Sequence, residues 1–222
     1  MTSLQPIDLV CPVCDTHFQS RSVASTNSFG GKRTDFHERA AGAQPLPHLV
    51  HSCISCGYSG VAQSFVEGTE VSAQVRAMVL TQLTPRLAVR GLDTPSERYE
   101  AAARVADWRG EHPRHVADLL LRAAWCCVDD GDHEGERFFR RSAATRFEEA
   151  LAMPGTVPDA ERAVLTYLIG ELWRRVGDAR LAATWFDRVR SEIIEAEEQA
   201  WVLDAAQQQR DTPREWFGLP AE

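Results

Sequence analysis

The spacing of apolar residues changes character near Gly68. Up to about residue 65, short β-leaning runs (Ile7 to Val10, Leu49 to His51) sit among Pro, Gly, Ser and Thr with no sustained helical period. This predicts a small β-rich module over residues 1–68. From Glu70 onward Ala, Arg, Glu and Leu dominate and apolar residues recur three and four apart, which predicts an all-α domain over residues 69–222. Val71, Val75, Met78, Val79 and Leu83 form one stripe, closed by Thr84-Pro85 or by Gly91. A second helix is expected from the capping run Thr94-Pro95-Ser96-Glu97 to Gly110.

Residues 115 to about 209 read as two longer helix pairs related by a shift of 46, which places Leu119 on Leu165, Gly131 on Gly177, Asp132 on Asp178 and Phe139 on Trp185. In each copy a helix runs into a Gly-Asp turn, where Gly suits the left-handed position and Asp caps the next helix. The second copy resembles a tetratricopeptide repeat, with Gly170, Trp173, Gly177, Ala182 and Phe186 at that family's spacing. The first copy departs from it, carrying Glu136 and Arg140 where Ala182 and Phe186 stand in the second. The 46-residue offset also exceeds the usual repeat, so the hairpins are expected to be longer than standard or joined by a linker such as residues 153–158.

With 44% hydrophobic and 25% charged residues, the chain has enough apolar surface to build a core, and wholesale disorder is excluded. A net charge of −8, from 24 Lys and Arg against 32 Asp and Glu, argues against broad binding to nucleic acid or to anionic membranes. No apolar run approaches the roughly 20 residues of a membrane span, and the first residues lack the features of an export signal. The expectation is a soluble cytoplasmic protein.

Four of the six cysteines form two Cys-x-x-Cys pairs, Cys11/Cys14 and Cys53/Cys56, separated by 38 residues. In a reducing compartment this pattern points to metal before disulfide. Four thiolates suit a tetrahedral Zn²⁺, so these four residues are the expected ligands of a structural zinc in a zinc-ribbon-like module. Gly57 and Asp15 come directly after the two pairs, at positions that favour left-handed backbone. His17, His37, His48 and His51 are alternative ligands, but four thiolates complete a structural site and leave no open position for chemistry. Cys126 and Cys127 lie in an apolar helical run and read as packing residues. The Cys11-Pro12-Val13-Cys14 segment is also similar to a glutaredoxin-type dithiol, although residues 15–27 are poor helix formers.

The order Cys11-Pro-Val-Cys14, Phe18, Arg33 and Asp35, Pro45-Leu46-Pro47 and Cys53-Ile-Ser-Cys-Gly-Tyr58 resembles the bacterial family known as domain of unknown function 2225. The resemblance covers most of the chain. It implies a paired-cysteine metal module with tetratricopeptide-like helices after it, and carries the ligand role onto Cys11, Cys14, Cys53 and Cys56. His48 departs from the aromatic residue that relatives tend to have there. The family's function is uncharacterised, so the resemblance implies architecture rather than activity.

Three functions compete. The leading expectation is a non-enzymatic adaptor whose helices offer a peptide groove lined by Leu121, Trp125 and Val128 from one copy and Tyr167, Glu171 and Arg174 from the other. The second is nucleic-acid binding through Arg21, Lys32, Arg33 and Arg39, with Phe29 and Phe36 as stacking groups. The third is the dithiol oxidoreductase. No Walker loop, Gly-x-Ser-x-Gly or His-Glu-x-x-His motif is present. In the C-terminal tail, Trp216 and Phe217 are expected to dock on the chain's own helices or on a partner.

Overall fold

Two β-hairpins precede a helical body in the computed structural model, which describes residues 2–194 and 196–218. Strands β1 (Ser3–Val10) and β2 (His17–Ser25) pair antiparallel, with Val10 opposite His17. Strands β3 (His51–Ser52) and β4 (Ser59–Gly60) form a second, much shorter hairpin. Of the run from Leu49 to His51, only His51 enters a strand. The prolines ahead of it set up a 3-10 turn at Leu46–His48 instead.

The stripe from Val71 becomes one nearly continuous helix: α1 (Ala73–Met78), a π-helical turn at Val79–Leu83, and α2 (Thr84–Arg90). Pro85 cannot donate the next backbone bond, so the chain widens just before it, and the helix ends at Gly91 with φ of +73°. Helix α3 (Pro95–Trp108) starts on the capping box of Thr94 and Glu97. Two helix pairs come next, α4 (Pro113–Asp130) with α5 (His133–Ala152) and α6 (Asp159–Val176) with α7 (Ala179–Arg188), and then α8 (Ala196–Asp211).

Both Gly-Asp turns form as their local chemistry requires. Gly131 and Gly177 are left-handed, and the Asp132 and Asp178 carboxylates accept from the backbone N–H of Gly135 and Leu181, each at 2.9 Å. Helices α3 to α7 pack in chain order, and α8 closes against α6 and α7.

The change of composition at Gly68 is not a break in packing. Leu9, Val13, Phe18, Tyr58 and Phe65 from the hairpin region share one core with Val75, Val79, Leu83, Leu92, Ala101 and Val105 from α1 to α3. Fully burying a Val, Leu or Phe contributes about 1.5–3 kcal/mol, so the hairpins are held by the first helices as much as by each other. Cys126 and Cys127 are buried between α3, α4 and α5, as a packing role requires. No helix among the described residues is long and apolar enough to cross a membrane.

Candidate metal centre

Each Cys-x-x-Cys pair forms the tip of one hairpin. In the first, the Cys11 carbonyl accepts from Asp15 N–H at 2.9 Å, and Cys11 N–H donates to the Thr16 carbonyl at 3.0 Å. In the second, the Cys53 carbonyl accepts from Gly57 N–H at 2.9 Å, and Cys53 N–H donates to the Tyr58 carbonyl at 2.8 Å. Asp15 (φ 57°) and Gly57 (φ 78°) are both left-handed, so the two turns share one backbone form.

The tips face each other. Cys11 Sγ lies 3.5 Å from Cys56 Sγ, Cys14 Sγ lies 3.6 Å from Cys53 Sγ, and all four sulfurs fall within 4.8 Å of one another. Sulfurs at about 2.3 Å from a tetrahedral ion are about 3.8 Å apart, so this spacing fits one metal ion. Cys11, Cys53 and Cys56 are buried, and Cys14 is half-buried beside the Thr16 hydroxyl at 3.2 Å. None of the four is in a disulfide, and the short contacts join the two hairpins rather than the members of one pair.

Hydrogen bonds from Cys11 and Cys56 lower the Cys53 thiol, whereas hydrogen bonding with Cys53 and with Cys11 respectively pushes Cys11 and Cys56 up. Four thiolates at this spacing need a positive charge between them.

The supports of the two tips come from residues to which the sequence pattern assigns no such role. Arg76 donates to the Pro12 carbonyl at 2.9 Å, and Thr84, at the end of the π-helical turn, donates its hydroxyl to the Cys56 carbonyl at 3.0 Å. One interrupted helix thus holds both tips. Pro85 inside an apolar stripe was the available signal. Buried Tyr58 packs edge-on against Phe65 at 5.3 Å, and its hydroxyl accepts from Arg109 at 3.2 Å. Of the histidines, His17 is exposed, His51 bonds Ser20 at 2.8 Å, and His37 stacks on Trp125; the ligand cluster consists of the four cysteines.

Of the residues expected to line a peptide groove, Trp125, Tyr167, Glu171 and Arg174 meet other segments of the chain itself. Leu121, Tyr167 and Glu171 are buried, and Trp125, Val128 and Arg174 are half-buried. The segment 32–37, between the two tips, lies across this face as a strap. Tyr167 donates to the Thr34 carbonyl at 2.9 Å, Trp125 Nε1 donates to Asp35 at 3.0 Å, and His37 stacks on the Trp125 ring at 4.9 Å. Glu171 accepts from Thr34, Arg174, Arg175 and Gln209 at 2.6–3.0 Å. A tight turn places Phe36 at φ 67° with its ring 5.6 Å from Tyr167. Nothing local in the sequence announces this strap.

Three of the four expected basic-loop cations are paired within the chain. Lys32 pairs with Glu38, Arg33 with Asp35 and Glu215, and Arg39 with Asp129, while Phe36 packs inward; Phe29 is exposed. The tail docks on the chain's own strap and helices: Arg33 bridges Trp216, and Phe217 stacks on Phe36 at 5.7 Å.

Fold and site together define a class: a helical protein whose N-terminal hairpins are joined at a four-cysteine cluster able to hold a metal ion. Residues 5–213 match the family model described as "Uncharacterized protein conserved in bacteria (DUF2225)", and the chain belongs to that family. Comparison with curated proteins and with solved structures gave no match.

Proposed function

We propose that this chain is a non-enzymatic protein-interaction adaptor of the cytoplasm, stapled by a structural zinc on Cys11, Cys14, Cys53 and Cys56, with its helix pairs stacking in a tetratricopeptide-like manner. The observation that carries the reading is the coupling of the cysteine cluster to the covered helical face. The strap is the stretch of chain between the two tips, and its Asp35 is fully buried on the helices. A metal joining the tips shortens the free loop that carries the strap, and so favours the docked state by loop-closure entropy.

Four sulfur ligands suit Zn²⁺ and leave it no open coordination position, so its contribution is folding free energy rather than turnover. The helical face, with its buried arginines and aromatic rings, has the chemistry to hold an extended segment, since it already holds two from its own chain.

The test compares proteins captured from a bacterial extract by the native chain and by an Arg174→Ala/Arg175→Ala variant, alongside an insulin-reduction assay. The expected result is a discrete partner retained by the native chain, lost by the variant, and no thiol turnover. Identical capture by both, or reduction of insulin that depends on Cys11, overturns the reading.

A further inference from the structure

The tail is seated as a bound peptide is seated. Its backbone adds to the strap as an edge: Arg33 bridges Trp216, Thr34 N–H donates to the Glu215 carbonyl at 3.1 Å, and Phe217 N–H donates to the Lys32 carbonyl at 2.9 Å. Gln209 binds both the N–H and the carbonyl of Arg214, at 2.7 and 2.8 Å. The side chains then fill prepared places. The Glu215 carboxylate meets Arg175 at 2.6 Å, Arg33 at 3.1 Å and Arg174 at 3.5 Å. The Phe217 ring lies against Phe36, Tyr167 and Trp201, at 5.7, 6.1 and 6.3 Å.

Receptor and ligand differ in how firmly they are held. Tyr167, Thr34 and Glu171 beneath the tail are buried, whereas Trp201 at the rim and Arg214, Glu215 and Phe217 of the tail are exposed, with the Glu215 side chain 53% exposed. The tail contributes little to the interior, so lifting it uncovers a site without dismantling a core. Beside it lies a cavity of about 380 Å³ lined by Tyr167, Trp201, Asp204 and Gln208 from the helices and by Trp216 and Phe217 from the tail.

Charge specifies what else fits. Arg33, Arg140, Arg174 and Arg175 converge on the fully buried carboxylates of Asp35 and Glu171, with Glu136 reaching Arg140 at the edge. Withdrawing Glu215 leaves an excess of guanidinium groups in a partly desolvated place, and another carboxylate is the group that balances it.

We infer that the Arg33–Arg174–Arg175 cradle and the adjoining Phe36, Tyr167 and Trp201 face form a docking site for an extended acidic–aromatic segment of a partner protein, occupied in cis by residues 214–217. The inference rests on the adaptor reading and gives its partner a chemistry: a carboxylate residue with bulky aromatic residues after it in an added strand. A tethered tail competes at an effective concentration on the order of millimolar, so a partner must make further contacts, for which the adjoining cavity has room.

The probe is a fluorescent peptide with the sequence of residues 211–218, titrated into three full-length proteins: native, Glu215→Lys, which sets a fourth cation against the cradle, and Phe217→Ala, which removes the ring. The peptide is expected to bind both variants at least about tenfold more tightly than native protein, and the same peptide with its Glu replaced by Lys to lose about tenfold or more. Far-UV circular dichroism checks that all three are folded, and the two variants disarm the tail independently. Equal affinity for native and variant proteins, no binding to any of them at millimolar peptide, or indifference to the Glu-to-Lys change overturns the inference. Partner capture by the native chain tests the adaptor reading separately, because capture that persists when the peptide does not bind places the partner elsewhere.

Discussion

Asp35 and Arg140 are 105 positions apart in the chain and 2.6 Å apart in the fold, and neither side chain is exposed. Burial alone would push the Asp35 carboxyl up, yet the fields of Arg140, Arg175 and Arg33 more than reverse this and hold it far below the ordinary carboxylate range. Trp125 and Arg140 bind one of its oxygens, and Arg33 approaches the other at 3.7 Å. Under the 46-residue shift, Arg140 occupies the place of Phe186. The departure of the first helix pair from the pattern of the second is thus where the strap is anchored.

Removing one partner of this pair is predicted to be costly. Arg140→Ala removes the nearest cation from a buried carboxylate and is expected to destabilise the protein by about 3–5 kcal/mol in urea denaturation. Pairing that change with Asp35→Asn is expected to recover a large part of the loss. A loss under about 1 kcal/mol in the single variant would mean that the strap is not docked as described.

His37 makes stability depend on pH in a separate window. Burial first, then Arg39, Arg33 and Arg140, push its imidazole down to about 4 against the opposing pull of Asp35. The unfolded chain takes up the proton near about pH 6.5, so this contribution is complete above that pH and is lost as the pH falls toward 4. The slope is about 1.4 kcal/mol per pH unit within the window. Between pH 6.5 and 5.0 the native protein is expected to lose about 1–2 kcal/mol more than a His37→Phe variant, which keeps a ring against Trp125 and cannot titrate. Parallel losses would contradict the buried, neutral histidine. The Asp35 contribution falls away only at lower pH, as its carboxylate becomes protonated.

The close approach of α6 and α7 at Gly170 gives a packing test. A Cβ there meets the Phe186 ring at 2.7 and 2.8 Å. Helix propensity favours Gly170→Ala by about 1 kcal/mol, while overpacking costs about 1–3 kcal/mol. The net expectation is a loss of up to about 2 kcal/mol, or a fall in Tm of up to about 8 °C, with partial rescue by Phe186→Leu. A rise in Tm would show that the ring moves aside freely.

Much of this fold was legible because its determinants are local. The Gly131-Asp132 and Gly177-Asp178 turns, the Thr94 cap and the left-handed Asp15 and Gly57 each depend on a few neighbouring residues, and each forms as expected. The cysteine cluster was legible for a chemical reason, since few other arrangements use two such pairs. What escaped the sequence depends on distant partners. Arg33, Asp35 and Glu215 look like solvated charges one at a time, yet Asp35 meets Arg140 across 105 positions and Arg33 meets Glu215 across 182. Tyr167 and Glu171 carried the right periodicity for a helix face, but periodicity does not say whether water or a strap lies on that face. The composition break at Gly68 marks where helices begin and not where a core ends, because the Val75, Val79 and Leu83 stripe packs on the hairpins.

We propose that one ion joins the two hairpin tips at Cys11, Cys14, Cys53 and Cys56. Metal analysis and X-ray absorption at the zinc edge, on protein purified under reducing conditions, test it most directly. The expected result is one equivalent of zinc with four sulfur neighbours at about 2.3 Å, lost together with cooperative unfolding in a Cys11→Ser or Cys56→Ser variant. Protein that is folded and free of metal, or zinc bound through nitrogen and oxygen in place of sulfur, would contradict it.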